Sequence, residues 1–313
     1  MNVCPITYQT VETGKYSQKG IKLLSPSLTC LNDLDYTKEE QIREAALRAS
    51  KISIQGVQPK LSAKLSIKNC RFELADRGGT FILKPQNFIF KDLPENEDLT
   101  MRLAQIIELN IPLHGLIYSK DESLTYFIKR FDRYGKSKKY AVEDSAQLAG
   151  KTRETKYNYS MEKVAKLLEE YCTFPIIEKS KLFKLTLFNF LVGNEDMHLK
   201  NFSIITKDNV VMLSPHYDLV NTTIVMNQKK PEEIALPLNG RKKKLSEKTL
   251  VEYFGKTVLG LNSKIISKSL NKIYESKNIW YDLISKSFLS EEMKNKYFEL
   301  LQKRWKILFS HSY

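Results

Sequence analysis

A short polar segment between a buried helix and a hairpin constrains this chain more than any other feature. Residues 181–192 (KLFKLTLFNFLV) are mostly apolar, which is typical of a helix buried on most of its faces, and Gly193 can end it. Strand-like runs within residues 202–213 predict a hairpin that turns at two polar residues. The polar segment 194–201 is therefore expected to lie between a buried helix and a hairpin.

Three oxygen-bearing side chains stand in or just after this segment. Asp196 precedes Asn201 by five positions, and Asp218 lies just past the predicted hairpin. Protein kinases place a base Asp five residues before a metal-binding Asn, and a later Asp completes the metal site. An alternative is that Asp196 and Asn201 form turns and that Asp218 caps a helix. The flanking elements favour the first interpretation, a phosphotransferase with Asp196 as base and with Asn201 and Asp218 as ligands of Mg²⁺.

A polar run with one glycine precedes the alternating strand predicted at residues 61–67. Its residues are Ser53, Ile54, Gln55 and Gly56. Glycine allows the backbone to approach phosphate oxygens closely, and main-chain N–H groups can bind them. Taken alone, a run with a single glycine is more often an ordinary turn.

A lysine and a glutamate further along the chain are candidates for a buried ion pair. Lys84 ends a predicted β-strand over residues 80–84, from which it can reach the nucleotide phosphates. Glu97 lies in the first turns of an amphipathic helix predicted over residues 94–105. Glu97 either holds Lys84 in place or only adds a favourable negative charge near the helix N-terminus.

The aromatic-rich run at residues 124–133 predicts a strand that leads into a charged turn. Such a strand suits a hinge between two lobes, where Phe127 and the backbone of Ile128 contact the adenine of ATP. An ordinary strand end with solvated charges explains the same pattern.

Taken in order, these motifs resemble those of the HipA-like toxin serine/threonine kinases of bacterial toxin–antitoxin systems. The resemblance covers about residues 50 to 310 and is carried by the segments 53–62, 131–133, 193–203 and 217–219. It implies an α+β, two-lobed, protein-kinase-like fold. The N-terminal lobe, residues 1–128, is expected to be rich in strands, and the C-terminal lobe, residues 129–313, mainly helical.

The resemblance also implies roles for individual residues. Asp196 stands at the position of the catalytic base, and Asn201 and Asp218 stand at those of the magnesium ligands. Lys84 matches the residue that contacts the nucleotide phosphates, and ATP is expected to bind between the two lobes. His198 and Lys200 fall on motif positions of the catalytic loop without a separately assigned role.

Regulation and target are further implications of the resemblance. Ser53 stands where HipA-like kinases autophosphorylate a serine, and a phosphate there would repel the phosphates of ATP. An ordinary turn serine is the alternative for Ser53. The expected substrate is a bacterial protein, in particular an aminoacyl-tRNA synthetase.

The early position of the polar run near residue 53 leaves no room for the small N-terminal subdomain of full-length HipA kinases. This shorter layout resembles the HipT kinases of tripartite HipBST systems. The expected partners are therefore a small HipS-like antitoxin that supplies the missing subdomain and a HipB-like DNA-binding protein. Contact with DNA is expected only indirectly, through that complex.

The net charge of +14 is concentrated near the end of the chain. Residues 241–313 contain 16 Lys and Arg against 7 Asp and Glu, which is +9 of the total. Clustered positive charge attracts polyanions, which suits a target that carries RNA or a complex that binds operator DNA. A lysine-rich solvated helical surface accounts for it equally well, because no series of aromatic residues interleaves the lysines.

Two other classes of function are compatible with parts of this pattern. A non-catalytic, kinase-like subunit of a DNA-binding antitoxin or repressor complex would use the basic surface, but it has no need for Asp196, Asn201, Asp218 and Lys84 together. A small-molecule kinase of the aminoglycoside type would need an acidic pocket, which the basic C-terminal region does not favour.

The cysteines and the N-terminus predict a cytoplasmic protein. Cys4, Cys30, Cys70 and Cys172 are scattered without a C-x-x-C pair, which argues against zinc binding or a disulfide scaffold and favours reduced thiols. The first residues contain neither a basic nor an apolar signal-peptide region. The longest apolar run, near residues 182–192, is too short to span a bilayer.

Overall fold

The computed structural model describes residues 2–49, 58–135, 138–226 and 231–309, and the chain forms two compact units. Unit 1 comprises Met1–Leu99, Pro112–Ser137 and Lys286–Ser290, and unit 2 comprises Thr100–Ile111, Lys138–Ser285 and Glu291–Tyr313. Each unit therefore gathers separate stretches of the sequence. The functional division into lobes after residue 128 stays a prediction.

An antiparallel sheet forms the centre of unit 1. Its strands are β3 (Leu61–Ser66), β4 (Arg71–Leu74), β5 (Phe81–Lys84), β6 (His114–Tyr118) and β7 (Leu124–Lys129), in the order β4-β3-β5-β7-β6. Phe72, Phe81 and Phe127 contact one another in the core, with ring centroids 5.0 to 6.2 Å apart. The strands predicted at residues 61–67, 80–84 and 124–133 are confirmed, with the last ending at Lys129.

The N-terminal residues, which contain no recognisable motif, contribute to the core of unit 1. They form β1 (Asn2–Val3), β2 (Thr10–Val11), α1 (Gln18–Leu24) and α2 (Lys38–Ala49). Their apolar side chains, among them Ile21, Leu28 and Leu34, are buried in the same cluster as the sheet residues.

Two cysteines correct the expectation of four reduced thiols. Cys30 and Cys70 form a disulfide with a Cα–Cα distance of 5.5 Å, whereas Cys4 and Cys172 are free and buried. The two bonded positions are 40 residues apart in sequence and meet because the turn after β3 returns to the loop that follows α1. Sequence spacing alone contains no signal of that meeting.

Helix α3 (Leu93–Ile106) begins in unit 1 and continues in unit 2. The larger helices of unit 2 are α5 (Met161–Tyr171), α6 (Pro175–Val192), a π-helix (Lys248–Val258), α8 (Ser263–Glu275), α9 (Lys277–Lys286) and α10 (Glu291–Leu308). The helix predicted over residues 181–192 is present as part of α6, and residues 248–258 adopt π geometry. Trp280 of α9 is fully buried, and its indole N–H donates to the carbonyl of Leu103 (3.1 Å).

A small sheet of unit 2 holds the predicted hairpin. Strands β10 (Ala141–Asp144), β11 (Ser203–Lys207) and β12 (Val210–Leu213) pair antiparallel in that order. The remaining short elements are β8 (Arg133–Tyr134), β9 (Lys138–Lys139), α4 (Ser145–Leu148), a 3₁₀ turn (Leu199–Asn201) and α7 (Thr222–Met226). Within the described residues, no helix is long and apolar enough to cross a membrane.

Candidate active site

Lys84 and Glu97 form a deeply buried ion pair in unit 1. The Lys84 Nζ lies 2.5 Å from the Glu97 Oε1, and the two side chains are only 3% and 0% exposed. The same Nζ lies 5.6 Å from the centroid of the Tyr126 ring. Burying two charges is costly unless they are paired, so loss of either partner would leave the other charge uncompensated. The pairing predicted from sequence is present.

Phe127 and Ile128 lie in β7, inside the sheet rather than at its edge. Phe127 is buried in the aromatic core of unit 1. Ile128 is in register with Ile82 of β5 on one side and with His114 of β6 on the other. In a strand with neighbours on both sides, backbone N–H and C=O groups are used by the ladder. The adenine contact predicted for Phe127 and Ile128 stays a prediction.

The phosphate-binding run is not part of the described structure. Ser53, Ile54, Gln55 and Gly56 all lie outside the described residues. Their predicted roles, including autophosphorylation of Ser53, therefore stay predictions.

The segment that follows α6 folds around the backbone of Asp196. The N–H of Asp196 donates to the Asn194 Oδ1 (3.1 Å), and its carbonyl accepts from the Asn201 Nδ2 (3.0 Å) and from the N–H of His198 (2.8 Å). The Asp196 side chain remains 44% exposed. The five-residue spacing of Asp196 and Asn201 thus corresponds to a closed turn that presents one carboxylate to solvent.

Glu195, the neighbour of Asp196, is directed into the protein instead. Its carboxylate accepts from the Thr223 hydroxyl and from the N–H of Glu232 (3.0 Å). Its own N–H donates to the Thr222 Oγ1 (2.7 Å). Burial raises the pKa of Glu195 above its usual range. Glu195 therefore anchors the loop, while Asp196 is left available for chemistry.

Two residues that sequence reasoning missed, Lys156 and Tyr157, contact this loop. The Tyr157 hydroxyl donates to the Asp196 Oδ1, and its ring packs edge-on against His198 with centroids 5.1 Å apart. The Lys156 Nζ lies 2.7 Å from the His198 Nε2. An aromatic pair, Tyr157 and Tyr159, in an otherwise polar stretch before α5 was the available signal.

The contact with Lys156 fixes the chemical state of His198. Because an ammonium donates only, the His198 Nε2 must accept, which leaves a neutral ring with its proton on Nδ1. Burial lowers the pKa of His198, and the positive charge of Lys156 acts in the same direction, whereas Asp196 opposes both. A neutral His198 is 3.8 Å from the Asp196 Oδ1 and does not compete as a cation for that carboxylate.

Asp218 lies in a strained backbone conformation next to this loop. Its φ of 54° is in the left-handed region, which costs a residue other than glycine free energy and is often found at functional sites. The hydroxyl of the adjacent Tyr217 donates to the carbonyl of Lys200 (3.0 Å) and lies 2.5 Å from the Ser203 Oγ. These contacts bring the segment of Asp218 to the end of the loop that contains Asn201. The Lys200 side chain itself is exposed.

The residues expected to bind Mg²⁺ have the chemistry that this ion prefers. With its Nδ2 bonded to Asp196, Asn201 presents its Oδ1 as an acceptor, and Asp218 offers a carboxylate. Mg²⁺ is commonly held by one or two protein oxygens together with substrate phosphates and water. Among the described residues no cluster of three or more His, Cys, Asp or Glu side chains could hold a metal by itself. Asn201 and Asp218 fit a site that the nucleotide completes.

Solved structures place this architecture among kinases. The chain aligns with Shewanella oneidensis HipA, solved with HipB and its operator DNA, at a TM-score of 0.69 and 22% identity, covering 89% of this chain and 72% of that one. It also aligns with the Helicobacter pylori proinflammatory kinase CtkA at a TM-score of 0.54 and 18% identity, covering 76% and 88% of the two chains. The fold is therefore the kinase-like α+β fold expected from the sequence.

Sequence comparison identifies the family within that class. The model of the HipA-like C-terminal domain matches residues 52–280, so the chain belongs to the HipA-like family. A Haemophilus influenzae protein named "Putative kinase" is 29% identical over 322 residues, 93% of each chain. The Shewanella oneidensis "Serine/threonine-protein kinase toxin HipA" is 29% identical over 191 residues, which are 55% of this chain but 43% of that protein.

Proposed function

We propose that this chain is a serine/threonine protein kinase that acts as the toxin of a toxin–antitoxin system. It transfers the γ-phosphoryl group of ATP to a serine or threonine of a bacterial protein. The observation that carries the proposal is the loop around Asp196, whose backbone is held by Asn194 and Asn201 while its carboxylate stays exposed. The relative named as a serine/threonine-protein kinase toxin supports the same activity.

Each residue of the proposed site has a defined task. Asp196 accepts a hydrogen bond from the acceptor hydroxyl and takes its proton as the new P–O bond forms and the bond between the γ-phosphorus and the bridging oxygen breaks, with ADP as the leaving group. Lys84, held by Glu97, contacts the nucleotide phosphates, and Asn201 and Asp218 hold Mg²⁺. The bound Mg²⁺ supplies positive charge that neutralises the transferring phosphoryl group. Positioning and electrostatics of this kind provide most of the rate in phosphoryl transfer.

The target and the regulation are proposed from the resemblance. The substrate is a bacterial protein, in particular an aminoacyl-tRNA synthetase, and the basic stretch 241–313 suits a target that arrives with RNA. Autophosphorylation of Ser53 would place a dianion in the segment that binds the ATP phosphates and would silence the enzyme.

The proposed partners follow from a structural neighbour and from the resemblance to HipT kinases. The HipA neighbour was solved with HipB and its operator DNA, which supports a HipB-like DNA-binding partner here. From the resemblance to HipT kinases we also propose a HipS-like small antitoxin.

A non-catalytic role in a DNA-binding antitoxin complex is the second candidate. The complex of the HipA neighbour with DNA favours it. The buried Lys84–Glu97 pair weighs against it, because a purely structural subunit gains little from the cost of burying two charges.

Intact-mass measurement and phosphopeptide mapping after incubation with Mg-ATP test the proposal. The proteins compared are wild type, phosphatase-treated beforehand, Asp196→Asn, and Asp208→Asn as a matched control in the turn of the β11–β12 hairpin. We expect one phosphate on Ser53 in wild type and in Asp208→Asn, and none in Asp196→Asn. Phosphate in Asp196→Asn would show that another residue is the base. Absence of phosphate from every protein would favour the non-catalytic role.

A further inference from the structure

Unit 1 contains a cavity of about 500 Å³ that the proposed chemistry does not use. Its walls come from α2, from the segment 86–92, from the start of α3 and from the turn between β6 and β7. This volume lies within the range of small-molecule and side-chain pockets in proteins. None of the residues assigned to phosphoryl transfer lines it.

Glu95 forms a polar anchor in this cavity. The residue is only 6% exposed, and its Oε1 accepts from the Gln86 Nε2 (2.6 Å). Its Oε2 is buried and has no hydrogen-bond partner among the described residues. A buried carboxyl oxygen without a partner is costly, and a ligand that donates to it would remove that cost.

Charged groups near Glu95 affect its pKa, and one of them, Asp92, already accepts a hydrogen bond within the protein. Burial raises the pKa of Glu95 to about 8, and the carboxylates of Asp92 and Asp98 act in the same direction. The Asp92 Oδ2 accepts from the N–H of Ser290 (3.0 Å).

At the mouth of the cavity, Glu122 pairs with Lys15 (2.8 Å), while Lys38 and Lys91 complete the charged lining. Three acids, Asp92, Glu95 and Glu122, thus line the cavity with two lysines. At Glu95 itself the carboxylates of Asp92 and Asp98 act on the site, so they repel an anion there and attract a cation.

The rim of the cavity is apolar and exposed. Phe88 and Ile89 are 71% and 81% exposed. The Asn87 Oδ1 accepts from the N–H groups of Ile89 (2.8 Å) and Phe90 (3.1 Å), which holds this rim in a turn. Adjacent large apolar side chains exposed beside a pocket are typical of a surface that another protein covers. A free polyamine would leave them in water.

We propose that this cavity is a docking site for a basic side chain of a partner polypeptide, whose cationic group pairs with Glu95 while neighbouring apolar residues of the partner cover Phe88 and Ile89. Arginine is the best-suited anchor, because its guanidinium offers several donors on a flat group that tolerates an apolar rim.

Docking at Glu95 acts on the segment that carries Glu97. Gln86 follows Lys84 by two residues, and Glu95 precedes Glu97 by two residues. The Gln86–Glu95 hydrogen bond and the Lys84–Glu97 ion pair therefore link the same two segments, the end of β5 and the start of α3. A partner that pulls on Glu95 shifts the start of α3 and with it the ion pair. This regulatory consequence rests on the proposed kinase activity, whereas the docking itself does not.

Two capped peptides provide a direct binding test. Acetyl-Leu-Arg-Phe-amide carries the cation, and acetyl-Leu-citrulline-Phe-amide is its neutral isostere. Titrations by calorimetry use wild type, Glu95→Gln, and Glu73→Gln as a matched control, because Glu73 is exposed on β4 and does not line the cavity. We expect the arginine peptide to bind wild type and Glu73→Gln at least about tenfold more tightly than the citrulline peptide, the scale of one charge-assisted contact. Glu95→Gln is expected to lose this preference.

The pH dependence adds an independent check on the same proteins. A cation binds the ionised carboxylate, so binding must release the proton that Glu95 holds below about pH 8. Affinity of wild type for the arginine peptide should therefore rise roughly 20-fold between about pH 6.5 and about pH 8.5, and that of Glu95→Gln should not. Equal binding of the two peptides by wild type, or absence of saturable binding at the higher pH, would overturn the docking site.

Phosphorylation assays with the arginine peptide separate this inference from the proposed function. A change in autophosphorylation rate of wild type but not of Glu95→Gln supports coupling to the ion pair. Peptide binding without any change in a measurable rate overturns the coupling. Absence of phosphorylation with and without peptide counts against the kinase activity, and the binding result then stands by itself.

Discussion

At the scale of single residues, the carboxylate of Asp196 accepts a hydrogen bond from a phenol of the described part of the chain. Tyr157 donates to its Oδ1, while the Asp196 backbone is held by Asn194 and Asn201. Burial raises the pKa of Tyr157, and the Asp196 carboxylate acts in the same direction. The phenol therefore keeps its proton at all physiological pH values. With Tyr157 on Oδ1, we expect the acceptor hydroxyl of the proposed reaction to bind Oδ2. Tyr157 is thus a positioning residue for the proposed base.

Replacement of Tyr157 by phenylalanine tests this role. Removing one hydrogen bond to a charged group costs about 1.5 to 3 kcal/mol, so kcat for autophosphorylation should fall roughly 10- to 100-fold. KM for ATP should change little, since the contact assigned to Lys84 is untouched. Tyr159→Phe, two positions along the same stretch, should behave as wild type. An unchanged kcat in Tyr157→Phe would remove the positioning role, and an increase would show that the phenol blocks the acceptor.

At the scale of elements, the end of α6 sets where the loop begins. Gly193 has φ 71° and forms the left-handed cap of the helix. A Cβ at this position would lie 2.5 Å from the Leu300 Cδ2 and 2.6 Å from the Thr223 Oγ1. The Gly193 carbonyl accepts from the hydroxyls of Thr222 (3.2 Å) and Thr223 (3.0 Å). Both the backbone conformation and the close packing therefore require glycine.

The variant Gly193→Ala tests the effects of the left-handed backbone and of the close packing together. Left-handed backbone costs an alanine about 1 to 2 kcal/mol, and overpacking adds about 1 to 3 kcal/mol. The free energy of unfolding, measured by urea denaturation, should fall by the sum. Gly260→Ala is the matched control, because Gly260 has φ 67° with nothing near its added Cβ. If both variants lose the same stability, the contacts with Leu300 and Thr223 do not matter.

The elements differ in how well the sequence predicts them. Helix α6 and the β11–β12 hairpin follow from local apolar patterns and turn residues, and both are present. The contacts of Lys156 with His198 and of Tyr157 with Asp196 join residues 42 and 39 positions apart. Such contacts depend on how the surrounding helices position the loop. Local sequence patterns do not predict that position. The pairing of Ile128 with strands on both sides likewise depends on β6, for which no strand was predicted.

At the scale of the whole molecule, local sequence patterns likewise determine neither the pairing of the cysteines nor the partner that the positive charge attracts. The Cys30–Cys70 bond required knowledge of the fold of unit 1, whereas the motif order sufficed to predict the kinase-like class. The net charge of +14 is a property of composition and contains no information on which partner it attracts. Global stability, in contrast, can be related to individual buried groups whose protonation differs between folded and unfolded chains.

Two buried groups give folding stability opposite dependences on pH. His216 is 5% exposed, and burial lowers its pKa from 6.5 to about 4. The unfolded chain therefore binds a proton before the folded chain does, and stability falls as pH drops from about 6.5 to about 4. Glu95 has a raised pKa of about 8, so its contribution is complete below about pH 4.5 and is lost as pH rises through about 8.

Replacing His216 by glutamine should remove its loss of stability at low pH, and replacing Glu95 by glutamine should remove its loss of stability at high pH. The free energy of unfolding of wild type should fall by about 3 kcal/mol more than that of His216→Gln between about pH 7 and about pH 4, since each pKa unit corresponds to about 1.4 kcal/mol. Between about pH 6 and about pH 9, wild type should lose stability that Glu95→Gln does not lose. The comparison uses slopes rather than absolute values, because glutamine replaces different hydrogen bonds at the two positions. Parallel pH profiles for wild type and His216→Gln would mean that burial does not lower the pKa of His216 in the folded protein.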